Sequence, residues 1–201
     1  MTTATPTKRR TLSGRDLINA GIFTAIYFVI MFGMGMIGLA GPAGSLLGYA
    51  LGILANGVVV ALYLARVPKV GALTLLAFIV SVLMTLTGHP WYSIIVTPLL
   101  GLVADLVAKS GHYRNPGRNT VAYAVLTLWY LVPMLPAVWD SVGYTEYVTS
   151  SMGEEYAEGY MAIFNGTNLI FIGVGFFVLG LIGGWFGQRM VRKHFRRAGV
   201  A

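Results

Sequence analysis

The chain contains no cysteine, which excludes disulfides, thiolate metal sites and cysteine nucleophiles. Charge is almost as scarce: Asp, Glu, Lys and Arg make up 10% of 201 residues, against 56% hydrophobic. That balance is too apolar for a soluble domain. No ionisable side chain of these four types stands near the middle of any apolar run, so a proton relay or an ion-coupled carrier would lack its carboxylates. The phosphate cradle G-x-x-x-x-G-K-[ST] is missing, as are the H-E-x-x-H zinc pair and the G-x-S-x-G nucleophile elbow. The chain therefore cannot hydrolyse ATP alone, and His89, His112 and His194 lie in separate connections or the tail. No run alternates apolar and polar residues as a barrel strand must. No small-residue cleavage site is followed by a soluble domain, so the first apolar run reads as a helix that stays.

Six apolar segments are present, at residues 17–39, 45–65, 71–87, 91–108, 120–139 and 161–187. Each has about the 17 to 25 residues a helix needs to cross a bilayer. An all-α integral membrane bundle of six transmembrane helices, spanning residues 15–190, is expected. Residues 1–14, MTTATPTKRRTLSG, read as a disordered basic tail, and residues 189–201 form a second basic tail.

All 14 Lys and Arg residues fall before helix one, in the 2/3 and 4/5 connections, or in the final tail. By the positive-inside bias these parts and both termini are cytoplasmic. The basic tails read as topology signals and contacts to anionic lipid, without nucleic acid. Acidic residues gather instead in the 5/6 connection, at Asp140, Glu146, Glu154, Glu155 and Glu158; Asp16 and Asp105 lie near the basic face. Asp105 stands four residues before Lys109, where a local ion pair is expected.

The connection at 140–160 is too long for a plain turn and carries Tyr144, Tyr147, Tyr156 and Tyr160. It reads as an ordered extracytoplasmic lid, with room for a short amphipathic helix. Helix two repeats Gly44, Gly48, Gly52 and Asn56 at four-residue spacing, and helix six carries Gly173, Gly180, Gly184 and Gly187. Such stripes allow the close backbone approach on which helix association in lipid depends.

The outer helix ends are richer in chemistry. His89, Trp91 and Tyr92 open helix four; Trp129, Tyr130, Trp139 and Asp140 close helix five; Asn165 and Asn168 open helix six. With the loop tyrosines these residues can line an outward-facing pocket, rings stacking a flat ligand and amides or carboxylates orienting it. An aromatic belt at headgroup level is the simpler reading of the tryptophans. Pro98, Pro133 and Pro136 each remove a helix hydrogen bond and bend helices four and five, which opens space for a cavity.

Two stretches, LSGRDLINAGIFTAIYFVI (Leu12 to Ile30) and LLGLVADLVAKSGHYRN (Leu99 to Asn115), resemble the S components of energy-coupling factor (ECF) transporters. More narrowly they are similar to the MptD-type, or Trep_Strep, branch. The resemblance covers nearly the whole chain, including the six-helix length and the long 5/6 connection. It implies a subunit of the bacterial plasma membrane that captures a vitamin-like micronutrient from outside. Such a subunit docks on a membrane coupling (T) subunit driven by two cytoplasmic ATPases, with no enzymatic activity and no cofactor of its own. Family members dock through an A-x-x-x-A-like face of helix one. Gly21 and Ala25 match it with glycine in place of the first alanine, while Ala20 and Thr24 form an equally spaced pair. Both registers stand open.

No Lys or Arg faces outside, so a phosphate or polycarboxylate would lack charge-assisted partners. The expected ligand is neutral or cationic with a planar ring, held by Trp91, Tyr92, Trp129, Trp139, Asn165 and Asn168. A metal ion on His89, Asp140 and Glu154 is a lesser reading, because their spacing fits no known ligand set. A membrane-embedded enzyme and an assembly scaffold are the competing classes.

Overall fold

The computed structural model describes residues 12–195, so most of both basic tails lies outside the described residues. Every regular element among the described residues is helical: α1 (Gly14–Gly35), α2 (Pro42–Arg66), α3 (Ala72–Leu86), α4 (Ser93–Ser110), α5 (Pro116–Thr127), α6 (Pro136–Trp139), α7 (Ser141–Met152), α8 (Glu154–Ile163) and α9 (Asn168–Met190). A 3-10 turn extends α1 to Ala40, a 3-10 run at Leu128–Met134 joins α5 to α6, and one π-helical turn follows α9.

Among the described residues, four helical stretches are long and apolar enough to cross a membrane: Gly14–Ala40, Pro42–Arg66, Ser93–Ser110 and Asn168–Lys193. The other two expected spans differ in form. α3 is an apolar helix of 15 residues, and the expected helix 120–139 begins earlier, at Pro116, then tightens into the 3-10 run before breaking at Pro136. The cause is local chemistry. Pro133 and Pro136 have no N–H to donate to the carbonyls of Trp129 and Val132; the Val132 carbonyl accepts instead from the Leu135 N–H at 3.3 Å and from Tyr92 Oη at 3.3 Å. The expected lid at 140–160 is two helices rather than a loop, and it runs on to Ile163, so the last long helix starts at Asn168 instead of residue 161.

The long helices form a closed ring in the order α1, α2, α9, α5, α4, α3, with a thinner seam between α3 and α1. Buried inside it are Tyr27, Ile53, Tyr63, Leu76, Tyr123 and Phe176. The outside is apolar too: Ile18, Val29, Leu86, Ile170 and Phe171 are each at least 66% exposed, as suits a surface facing lipid rather than water.

Glycine makes the ring possible. A methyl group on Gly44 or Gly48 would run into the carbonyl oxygens of Ile37 or Met34 at the α1/α2 seam, and one on Gly187 into the carbonyl of Gly57 where α9 crosses α2. Asn56, the fourth member of the stripe, donates from Nδ2 to the Tyr27 carbonyl at 3.2 Å.

The basic connections gather at one end. There Ser13 and Asp16 form a reciprocal cap on α1, and Lys69 donates to Asp16 at 2.6 Å. The expected Asp105–Lys109 pair gives way to a different contact. Asp105 is fully buried and accepts from the backbone N–H groups of Gly71, Leu73 and Thr74 at 2.9 to 3.2 Å, and from Thr74 Oγ1 at 2.7 Å. Four donors at the positive end of α3 satisfy this carboxylate without a cation.

Gly187→Ala is expected to lower stability by about 1–3 kcal/mol, the usual cost of overpacking, in thermal denaturation of the detergent-solubilised protein. Gly175, with nothing within 4 Å of the position a Cβ would take, is the control: Gly175→Ala leaves the midpoint unchanged or raised.

Candidate functional site

At the end opposite the basic connections the helices splay around a cavity of about 310 Å³. α1 contributes Met31, the start of α2 contributes Ser45 and Tyr49, the end of α3 contributes Met84, the 3/4 turn contributes His89, and the 3-10 run contributes Trp129, Tyr130 and Met134. The α7–α8 pair forms the roof with Tyr144, Tyr147, Tyr156 and Tyr160. No Asp, Glu, Lys or Arg lines it.

Hydroxyl groups hold the roof down on two sides. Tyr147 Oη donates to the Gly88 carbonyl in the 3/4 turn at 2.9 Å. Tyr156 Oη donates to the Gly38 carbonyl in the 1/2 connection at 3.1 Å and lies 2.9 Å from Ser45 Oγ. Between them Tyr144 and Tyr160 meet hydroxyl to hydroxyl at 3.4 Å. Gly153, at φ +89°, makes the joint between α7 and α8, a conformation that costs glycine little.

The walls are rings in contact. Tyr49 meets Tyr130, Phe164 and Phe176 edge-on at centroid distances of 5.7 to 6.3 Å, and Trp129 tilts over Tyr130 at 4.6 Å. Trp129 Nε1 donates to Tyr27 Oη at 2.8 Å, which fixes the indole. Tyr130's hydroxyl is buried against Gly52, beside the Tyr27 hydroxyl and the Asn56 amide. Burial pushes the His89 imidazole below its ordinary pKa, with the Met84 carbonyl opposing the shift, so the ring is neutral at pH 7. Burial likewise raises the Tyr144 phenol above its ordinary value.

Of the residues singled out from the sequence, the structure brings His89, Trp129 and Tyr130 together on this cavity. Trp91 and Trp139 stand 70% and 63% exposed. They flank Tyr92 at 6.2 and 6.0 Å, an aromatic patch suited to the membrane interface. Tyr92 and Asp140 border a separate shallow depression beside the lid, where Asp140 caps α7 by accepting from Gly143 N at 3.0 Å. Asn165 and Asn168 spend their amides on the turn into α9, donating to the Ala162 and Ile163 carbonyls. Among the described residues no group of three or more His, Asp and Glu side chains converges, and His89, Asp140 and Glu154 do not form one. Tyr49, Ser45 and the methionines were not read from the sequence. The available signal was the Ser45–Tyr49 pair, four residues apart on one helix face.

An all-helical chain with an apolar exterior and several helices long enough to cross a bilayer is a multi-pass integral membrane protein. Residues 14–197 match the model of the Trep_Strep family, described as a hypothetical bacterial integral membrane protein family, and the chain belongs to that family. No curated protein and no solved structure matches it.

The lid is expected to open when its latches are cut. Each hydrogen bond of this kind contributes about 0.5–1.5 kcal/mol, so removing both hydroxyls in a Tyr147→Phe, Tyr156→Phe double variant shifts the closed-to-open balance about tenfold or more. Met84→Cys, at a buried wall position in a chain with no other cysteine, reports it. A water-soluble maleimide labels that cysteine faster in the double variant, and an unchanged rate rules the latches out.

Proposed function

We propose that the chain is the substrate-binding subunit, or S component, of an ECF-type importer for a vitamin-like micronutrient. The observation that carries this is a roofed aromatic cavity in a membrane chain that has no phosphate cradle and, among its described residues, no group of three or more His, Asp and Glu placed to hold a metal. Such a chain binds without turning over, and the energy for transport comes from two cytoplasmic ATPases acting through a coupling subunit.

The docking face we assign to α1 follows from exposure. Ala20 and Thr24 are buried in the bundle, whereas Gly21 and Ala25 face outward and nothing lies within 4 Å of a Cβ at Gly21. Of the two equally spaced pairs, Gly21 and Ala25 are the pair free to meet a partner helix. Affinity purification from the native host, with mass spectrometry of proteins and retained small molecules, tests the reading. A coupling subunit and two ATPases are expected with the wild type. Gly21→Leu and Ala25→Leu are expected to lose them while stability stays within about 0.5 kcal/mol, as for surface changes generally. A chain recovered alone and empty returns weight to a scaffold or an enzyme.

We further propose six membrane crossings with both termini cytoplasmic. α3 reaches about 22 Å, and α5 with the 3-10 run reaches about 32 Å if collinear, so both span or nearly span the hydrocarbon core of roughly 30 Å. The described Lys and Arg residues gather at the end that bears the 2/3 and 4/5 connections, and the positive-inside bias makes that end cytoplasmic. A cysteine at exposed Ser151 on the lid is then labelled by impermeant reagent in intact cells. A cysteine at exposed Ser110 is labelled only after permeabilisation, and the reverse pattern inverts the topology.

A further inference from the structure

We infer that the cavity takes an uncharged, flat heteroaromatic molecule of one or two rings, gripped between tyrosine and tryptophan faces and methionine thioethers; this rests on the binding-subunit reading above. The sequence alone left a neutral and a cationic ligand equally open, and the cavity separates them.

Charge is the first argument. Among the described residues, no carboxylate, ammonium or guanidinium lines the cavity. The lid's four glutamates, Glu146, Glu154, Glu155 and Glu158, are all exposed, and none lines the cavity. A buried anion would find no positive partner, and a buried ion without a partner is costly whatever its sign. Ring faces attract a cation, but by less than burying an ion without a paired carboxylate costs, and Asp140 lines the adjoining depression and not this cavity. His89, the titratable ring on the wall, is itself held neutral by burial.

The second argument is what the polar groups are already doing. Tyr147, Tyr156, Ser45 and Trp129 are spent on the protein: two on glycine carbonyls, one on Tyr156, one on Tyr27. Tyr144 and Tyr160 meet each other, which leaves His89 and the Tyr49 and Tyr130 hydroxyls as polar anchors on the wall, few for a sugar-like or peptide-like ligand, so contact area supplies most of the affinity. The walls suit that. Met31, Met36, Met84, Met134 and Met152 surround the rings, and thioethers are polarisable, adaptable partners for an aromatic edge. A space of about 310 Å³ lies at the small end of the range for ligand sites, which limits the occupant to one or two rings with small substituents.

The test uses three probes that share a two-ring frame and differ in charge: 4-quinazolinone (uncharged), N-methylquinolinium (cation) and quinoline-2-carboxylate (anion). Binding to the purified full chain is read by quenching of tryptophan emission and by thermal shift. The uncharged probe is expected to bind saturably and at least tenfold more tightly than either ion, and Tyr49→Leu is expected to weaken it at least tenfold. Equal or tighter binding of a charged probe that Tyr49→Leu still weakens overturns the uncharged class and leaves the binding-subunit reading standing. Binding of none of the three, or binding indifferent to Tyr49→Leu, overturns the inference as well. In that event recovery of the coupling subunit with the chain decides whether the subunit reading falls with it. If Tyr49→Leu is unfolded by thermal denaturation, Tyr49→Phe with Met134→Ala replaces it, with the same outcomes.

Discussion

In lipid the usual reason for helices to associate is absent, because a leucine gains nothing by leaving hydrocarbon for a protein interior of the same polarity. What remains is the contact of backbone with backbone, and in this chain it is concentrated on α2. One side of α2 lies against α1 through Gly44 and Gly48, and another crosses α9 where Gly57 meets Gly183 and Gly187. These contacts set three helices at fixed distances, and two walls of the cavity follow, Met31 from α1 and Ser45 and Tyr49 from α2, with Phe176 of α9 backing Tyr49. A side chain at any of the crossing glycines would move the cavity walls as well as the helices.

The two ends of the bundle are closed by different chemistry. At the basic end carboxylates do it: Asp16 joins α1 to the 2/3 connection through Lys69, and buried Asp105 ties α4 to the start of α3 through four donors. Breaking such a contact strands a buried charge, so that end opens only at high cost. At the opposite end the closures are neutral phenol-to-carbonyl hydrogen bonds at the rim, each replaceable by water at little net cost. The asymmetry leaves the ion pair and buried carboxylate at one end and the neutral, water-replaceable closures at the other.

The sequence displays the helices well and the site poorly, for physical reasons. Long apolar runs, glycine spacing and basic loops report on single helices and their neighbours along the chain, and these gave the ring its members. They could not show that Pro133 and Pro136 would turn the end of the fifth segment into a 3-10 run, which aims Trp129 and Tyr130 inward while leaving Trp139 outside. The amides of Asn165 and Asn168 looked like ligand groups, but a helix start consumes such amides locally. Asp105 looked like half of an i, i+4 pair, yet the backbone donors of another helix reach it first. Tyr49 is silent in the sequence because a tyrosine inside an apolar run reads as core until three other helices place rings around it.

The absence of charge in the cavity and the presence of a lid are parts of one arrangement. A site that recognises its ligand by an ion pair can stay open to water and still discriminate, since the pair survives partial hydration. A site built from ring faces and thioethers gains its affinity by excluding water from nearly the whole ligand surface, so it has to close. Closure needs a roof whose own polar groups are satisfied when shut. α7 and α8 meet that need by handing their tyrosine hydroxyls to the Gly38 and Gly88 carbonyls and keeping their glutamates in water. The long acidic, tyrosine-rich segment before the last helix is thus what the uncharged site proposed above would require.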